Sequence, residues 1–521
     1  MRTGAEYRDS LRDGRKVWVL GDGPIEDVTT HAATAAMVDE YVAWYDRHFD
    51  ADWQDILLTE PDVQGKRQPL AFAVPKTSAH LRRLGKAIAA VHFLTGGNMT
   101  HTPGYGALIA LGLLDVVKRL HVSSEEVEAA EAYRASLAHS GRFLTFASGG
   151  PLIGQRLRAE PQERVALRLL SETDDGIVVR GKVSMHTSTP FAEDVLITGR
   201  DELPPGSGRW LWIIVPVNAP GIRVVARPPA PRHANPFLAP LSSRFDELDA
   251  QLWLQDVFIP RERVFTAEPL FQTHRHSLAS WLFWHQHYGW LAKAEFTLGL
   301  ALALADAMGL KENPATIEQL VDLVVDVQTS RTCVTAAELE PDMTAAGFAV
   351  PGQLHIAAAS IYTLKARQRM SEILRSLPGS SLLNAPADTD LADQEMATDL
   401  EDAFGGGGYT AVQRAALLQL TWDHVASGLD GREAAFELHA NGGVPAWRSR
   451  LRAWFNSYND LAHGVHQVLG VKMPHVDLNS VRNIPYMPQR PVTPPQAQAE
   501  TGSEAAAPDA DTGLSVKPTV T

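Results

Sequence analysis

The chain has 521 residues, 45% hydrophobic and 21% charged, an ordinary globular balance with ample material for a large core. A net charge of −14 without a basic stripe argues against nucleic acid as a partner and favours solubility. The single cysteine, Cys333, excludes an internal disulfide framework and any cysteine-ligated cluster or zinc site, and reads as a small buried apolar residue.

The first stretch, MRTGAEYRDSLRDGRK, is polar and carries acids, unlike a signal peptide. Thr3 and Glu6 form a capping box, with Tyr7 and Leu11 one turn apart behind it. KVWVLGDGPIEDV reads as a short hairpin around GDG. Leu81, Leu84, Ile88 and Val91 repeat at helical spacing until Gly96-Gly97 ends the helix. Thr102-Pro103 reads as an N-cap with proline at the first helical position, and Ser123 with Glu126 opens a helix to about His139.

Near residue 143 the pattern changes. VALRLLSETDDGIVVRGKVSM predicts a hairpin at DDG, RWLWIIVPVNAPGIRVVARP two strands around a proline-glycine turn, and QLWLQDVFIP another strand. From about 276 long apolar periodicities return: AKAEFTLGLALALADAMG, IEQLVDLVVDVQTSRTCVTAAELE and QLHIAAASIYTLKARQRMSEIL suit a helical bundle. FGGGGY, 404–409, lacks the Lys-Ser/Thr of a phosphate loop and reads as an inter-helix turn; a backbone that must approach a planar cofactor closely is the other reading. No run of about 18 apolar residues predicts a membrane span, and the cytoplasm is the expected compartment. The expected organisation is α+β, mainly α: a helical domain over 1–142, a β-barrel or sandwich domain over 143–268, a helical bundle over 269–486 and a disordered tail over 487–521.

SWLFWHQHYGW, 280–290, places His285 and His287 among Trp281, Phe283, Trp284, Tyr288 and Trp290. A histidine in such a wall is more often a satisfied core residue than a ligand, and HQH lacks the i, i+4 spacing of a helical zinc site.

Several segments resemble, in order, the 4-hydroxyphenylacetate 3-monooxygenase family of two-component flavin enzymes. They are TGAEYRDSLRDGRKVWVLGDGPIEDVTTH, ETDDGIVVRGKVSMHTSTPFAEDVLITG, APLSSRFDELDAQLWLQDVFIPRERVF and LLQLTWDHVASGLDGREAAFELH. The resemblance implies an acyl-CoA-dehydrogenase-like fold of α domain, β domain and four-helix bundle, assembled as a homotetramer. It implies FADH2 delivered by a separate NAD(P)H:flavin reductase, O2 as cosubstrate, a flavin hydroperoxide, hydroxylation of a small aromatic substrate, and no metal. Relatives of the same fold dehydrate hydroxybutyryl-CoA or displace nitro and halide groups from phenols.

The family motif Arg-(Ser/Thr)-Pro-Asp-Tyr, whose arginine and tyrosine hold the phenol oxygen, reads here His101-Thr102-Pro103-Gly104-Tyr105. Tyr105 matches; the always-charged arginine is replaced by His101, which is either a substitute in the site or a loop histidine before a helix. The family's Leu-Thr-His is Leu144-Thr145-Phe146, so Phe146 offers the substrate only an apolar face. By resemblance, Leu152, Ile153, Gly154 and Gln155 form the flavin loop, Thr187 lies by the ring edge, and Ser427 and Gly428 form the C-terminal flavin segment. Arg432 would restore a cation to the substrate site. In dehydratase relatives the histidine at 285 ligates an iron–sulfur cluster with three cysteines, which this chain lacks. In relatives that attack halo- and nitrophenols it acts as a base, the role expected of His285. Acyl-CoA dehydration or isomerisation, and a non-catalytic homologue, are the alternatives.

Overall fold

The computed structural model describes residues 1–455, apart from 121, 161–162, 200–201, 205, 231–234, 268–269, 345 and 440–442, together with 468–469. The stretch expected to be a disordered tail, 487–521, lies outside the described residues.

Local signals place the helices. Thr3 and Glu6 cap each other as expected, and Tyr7 and Leu11 are buried behind them. Thr77 caps the helix Ser78–Leu94, which buries Leu81, Leu84, Ile88 and Val91. Thr102 caps Pro103–Arg119 by accepting the Tyr105 N–H at 3.2 Å. This helix is apolar almost all round and buries every residue from Pro103 to Val117, so it runs through the core rather than over it.

Two sheets fill the middle of the chain. One has six strands in the order Gly23–Ile25, Val17–Val19, Ile222–Ala226, Asp249–Pro260, Gly176–Thr187 and Leu167–Thr173. The other has four: Val264–Ala267, Trp210–Pro216, Asp194–Thr198 and Leu144–Ala147. The DDG hairpin forms as expected, with Thr173 paired to Gly176. Two features differ from a reading by local signals. The GDG hairpin extends the six-stranded sheet through parallel pairing of Val17–Val19 with Val224–Ala226. The strands on either side of the proline-glycine turn enter different sheets, so that turn is a crossing between layers and not a hairpin.

The C-terminal half is helical. Leu270–Ala307, Pro314–Leu339, Gln353–Ser376 and Ala411–Val425 pack as a bundle, and Leu270–Ala307 also packs on Ser78–Leu94 and Pro103–Arg119. The glycine run is the expected inter-helix turn, with Gly406, Gly407 and Gly408 all at positive φ and Arg414 binding the Phe404 and Gly406 carbonyls. Cys333 is half-buried rather than buried. Among the described residues no helix is long and apolar enough to cross a membrane.

One buried carboxyl ties the bundle to the first helices. Glu338 accepts hydrogen bonds from Trp284 Nε1 at 3.1 Å and from the Tyr288 hydroxyl. A Cβ on Gly85 would lie 2.1 Å from its Oε1, so only glycine lets the helices approach here. Burial raises the Glu338 pKa from 4.5 to about 7 against the opposing hydrogen bonds. The native state therefore holds a proton that the unfolded chain has released, and stability falls as pH rises from 4.5 to 7, levelling above. The decline attributable to this group is on the order of 3 kcal/mol. Urea unfolding of Glu338→Gln across that range is expected to show a correspondingly flatter pH profile than the parent chain; parallel profiles would reject the assignment.

Candidate active site

The site lies where the sheet ends meet four helices, Ser78–Leu94, Pro103–Arg119, Leu270–Ala307 and Gly428–His439. At its centre is Glu247, fully buried. It accepts the Thr100 N–H at 2.8 Å, the Thr100 hydroxyl at 2.9 Å and the His101 N–H at 2.6 Å. His101 Nδ1 is 3.3 Å away and Arg432 Nη1 3.9 Å. Burial alone would raise this carboxyl; the charge and hydrogen bond of His101, with Arg432, outweigh it and hold Glu247 below the usual range. His101 is therefore built into the site and is not a free loop residue. Its ring meets Tyr105 edge-on at 4.8 Å and Phe436 at 5.4 Å.

Arg432, on the helix Gly428–His439, grips Asp249 with two 2.8 Å hydrogen bonds and also binds Glu433. Asp249 in turn accepts the Thr187 hydroxyl at 2.8 Å and Arg227 at 3.1 Å. Despite burial, Arg432 and Arg227 hold Asp249 far below the ordinary carboxylate range. Glu433 is pulled down to about 2 by Lys293 and Arg432, again against burial. Lys293 spans Glu433 and Glu437, both at 2.8 Å. Arg432 thus has a carboxylate on every side, so its charge is committed to the protein frame and is not a spare cation for a phenolate.

His285 completes the group. Its Nδ1 is 3.4 Å from His92 Nε2, its Nε2 is 3.3 Å from the Thr102 hydroxyl, and its ring meets Tyr105 at 5.3 Å. Burial, then the His92 and His101 charges, push its pKa well below 6.5. At neutral pH it is an uncharged imidazole, able to exchange hydrogen bonds but poor at keeping a proton. The approach of His92 to His285 depends on Gly97, at φ +74°, where a Cβ would sit 2.2 Å from the Gly289 carbonyl oxygen. His287 is the satisfied core histidine, bonded to Ser360 at 2.9 Å and facing the Ile356 carbonyl at 3.2 Å. All five surrounding rings, Trp281, Phe283, Trp284, Tyr288 and Trp290, are buried.

The fold thus joins His101, Tyr105, His285, Thr187 and Arg432 into one connected cluster. It leaves others apart. Phe146 is half-buried on the strand face opposite Thr145, whose hydroxyl donates to the Thr187 carbonyl at 2.9 Å. Gln155 spends its amide on its own loop, accepting the Leu152 N–H at 2.7 Å and donating to the Val165 carbonyl at 3.2 Å. Leu152 is half-buried, and Ile153 and Gly154 are exposed. Ser427 accepts the Leu429 N–H at 3.1 Å at the start of the helix Gly428–His439. Glu247, Asp249 and His92 were not picked out from sequence. A buried carboxylate and a surface one read alike in a sequence, and His92 lies on an unremarkable amphipathic helix. The backbone adds a further mark: Met185 (φ 38°) and Ser188 (φ 63°) flank Thr187, and Leu248 (φ 38°) lies between Glu247 and Asp249. Left-handed backbone at such residues is held only where the surroundings over-determine it, as at binding sites.

Two cavities adjoin the cluster. The larger lies in the bundle beside Lys293, Glu433 and Glu437, and none of the expected phenol-holding residues line it. The smaller is lined by His285, His92, His48, Thr102 and Gly104 together with apolar side chains. Among the described residues no group of three or more His, Cys, Asp or Glu is placed to hold a metal ion.

Known proteins share this fold. A solved oxygenase component of 4-hydroxyphenylacetate 3-monooxygenase, complexed with FAD and 4-hydroxyphenylacetate, superposes with a TM-score of 0.81 at 27% identity, covering 90% of this chain and 98% of that one. An archaeal 4-hydroxybutyryl-CoA dehydratase from N. maritimus shares the fold with a TM-score of 0.79 at 13% identity, over 91% of this chain and 96% of that one. In sequence, the oxygenase component of a Rhodococcus opacus 4-nitrophenol 4-monooxygenase/4-nitrocatechol 2-monooxygenase is 29% identical over 507 residues, 90% of this chain and 91% of that one. Fold and relatives together define a flavin-dependent monooxygenase, α+β and mainly α. The chain belongs to the 4-hydroxyphenylacetate 3-hydroxylase family, whose N-terminal model matches residues 3–266 and whose C-terminal model matches 272–466.

The surface suits the flavin that this class uses. A Cβ on Gly431 would meet nothing within 4 Å, so the first turn of the helix Gly428–His439 presents bare backbone there for a flat group to approach, while Gly428 is closed in by Ala230 at 3.1 Å. Ile153 (73% exposed) and, two residues before Thr187, Met185 (50%) are apolar side chains left open, as a ring face would require.

Proposed function

We propose that the chain is the oxygenase component of a two-component system that hydroxylates a small aromatic substrate, phenolic or closely related. FADH2 comes from a separate NAD(P)H:flavin reductase and O2 is the cosubstrate. The observation that carries this reading is the contact of His101, Tyr105 and His285 in one buried cluster beside a small apolar cavity.

Reduced FAD, when bound, supplies the two electrons that divide O2 between one oxygen atom for the ring and one molecule of water. Leu152, Ile153, Gly154, Gln155, Thr187, Ser427 and Gly428 would hold it. The chain's own part is to orient the phenol and keep water out. Tyr105 and His101 hold the phenol oxygen, and the neutral His285 ring accepts its proton in a hydrogen bond as the ring becomes nucleophilic. Arg432 fixes Glu247 and Asp249, and through them His101 and Thr187.

A homotetramer is part of the reading. Ile317, Val321, Val324 and Val325 form an exposed apolar stripe on the helix Pro314–Leu339, suited to burial against a second copy. The lone cysteine accords with a cytoplasmic setting. Turnover with a flavin reductase under isotopically labelled O2 tests the reaction. One labelled oxygen per product is expected; product without label, or none from any phenol offered, would refute it.

A further inference from the structure

Gly104, at the start of the helix Pro103–Arg119, lines the smaller cavity. A Cβ there would press on Thr102 Oγ1 at 3.3 Å and rest 3.5 Å from Ala71 Cβ and 3.6 Å from Trp44 Cζ2, all three also lining residues. A carboxylate at 104 would therefore crowd the lining and bring charge among its apolar groups and imidazoles.

The chemistry of the lining is uniform. Leu57, Leu84, Ala87, Ile88 and Val91 form the apolar wall, and none of the lining residues is Asp, Glu, Lys or Arg. The polar groups are the buried Thr102 hydroxyl and the imidazoles of His285, His92 and His48. Burial lowers His92 and His48 to about 4, so these rings carry no charge at neutral pH. The bonds from His285 to His92 (3.4 Å) and to Thr102 (3.3 Å) are longer than ordinary ones, so an incoming hydroxyl can displace them at little loss. A neutral imidazole both donates and accepts, as does a phenol hydroxyl.

We infer that this cavity is a substrate subsite for an uncharged phenol whose ring bears an apolar substituent, and that Gly104 sets this preference by leaving the cavity open and free of charge. The inference deepens the oxygenase reading and rests on it for what becomes of the bound phenol. His285 lines the cavity and meets the Tyr105 ring, whereas Tyr105 and His101 do not line it, so His285 is the group through which the subsite adjoins them. A substrate carboxylate would have to enter without a cation to meet it, which is costly against an apolar wall.

The test is calorimetric binding to the flavin-free full chain, with 4-tert-butylphenol and 4-hydroxyphenylacetate as probes. The neutral phenol is expected to bind at least about tenfold more tightly. Gly104→Asp and Ala71→Leu, which charge and fill the cavity respectively, are each expected to weaken it about tenfold or more. Circular dichroism checks that each variant is folded, and Ala71→Leu decides if Gly104→Asp is not. Equal or tighter binding of 4-hydroxyphenylacetate, or neutral-phenol binding indifferent to both changes, would overturn the inference. Binding and turnover fail separately. Labelled product from 4-hydroxyphenylacetate with no preference for the neutral phenol sinks the subsite and spares the oxygenase. The expected binding pattern without oxygenation does the reverse.

Discussion

Arg432→Met is expected to lower the free energy of unfolding by about 3–5 kcal/mol, the usual consequence of removing one partner from a buried charge network. Asp249, Glu247 and Glu433 all face this guanidinium, and its side chain is only 6% exposed. Without it, Arg227 is the cation left to Asp249 and Lys293 the one left to Glu433. Glu247 would keep the Thr100 and His101 hydrogen bonds but lose the nearby guanidinium charge, so the loop that presents His101 loosens as well. Urea unfolding measures the loss. Arg432→Lys keeps the charge but cannot grip Asp249 at two points, and should recover only part of it. A change in stability below about 1 kcal/mol for Arg432→Met, within the range of an exposed ion pair, would mean that the network is not the frame of the site.

The second large effect is chemical. His285→Ala is expected to lower hydroxylated product by a factor of about 10² or more, the scale of a positioned proton acceptor. Oxygen and reduced flavin should still be consumed, with the electrons appearing as hydrogen peroxide. His285 touches His92, Thr102 and Tyr105 but none of the expected flavin residues, so flavin affinity should be unchanged. His285→Gln, which can still accept a hydrogen bond, should recover part of the yield. Unchanged product from His285→Ala would remove the residue from the mechanism. Loss of flavin binding along with product would assign it a structural role.

The local signals of this chain were readable because they rest on short-range physics. Thr3-Glu6, Thr102-Pro103 and DDG each specify a cap or turn within four residues, and each forms. Parallel pairing of Val17–Val19 with Val224–Ala226 was not readable, since nothing near either strand announces a partner two hundred residues away. The site divides in the same way. His101, Tyr105 and His285 were found through motif resemblance, and the fold brings them into contact. Glu247 and Asp249, which hold His101 and Thr187, were hidden because burial turns an ordinary acid into a structural centre, and burial is a property of the whole fold. His92 was hidden for a similar reason: its partner lies 193 residues further along the chain.

The central claim is that this chain binds reduced FAD and governs its reaction with oxygen. The most direct test is rapid mixing of the protein, loaded anaerobically with FADH2, against oxygenated buffer, following flavin absorbance with and without a neutral phenol. Reoxidation distinct from that of free flavin, with hydroxylated product formed only when the phenol is present, is the predicted result. Reoxidation at the free-flavin rate, with hydrogen peroxide as the sole product in both cases, would contradict it.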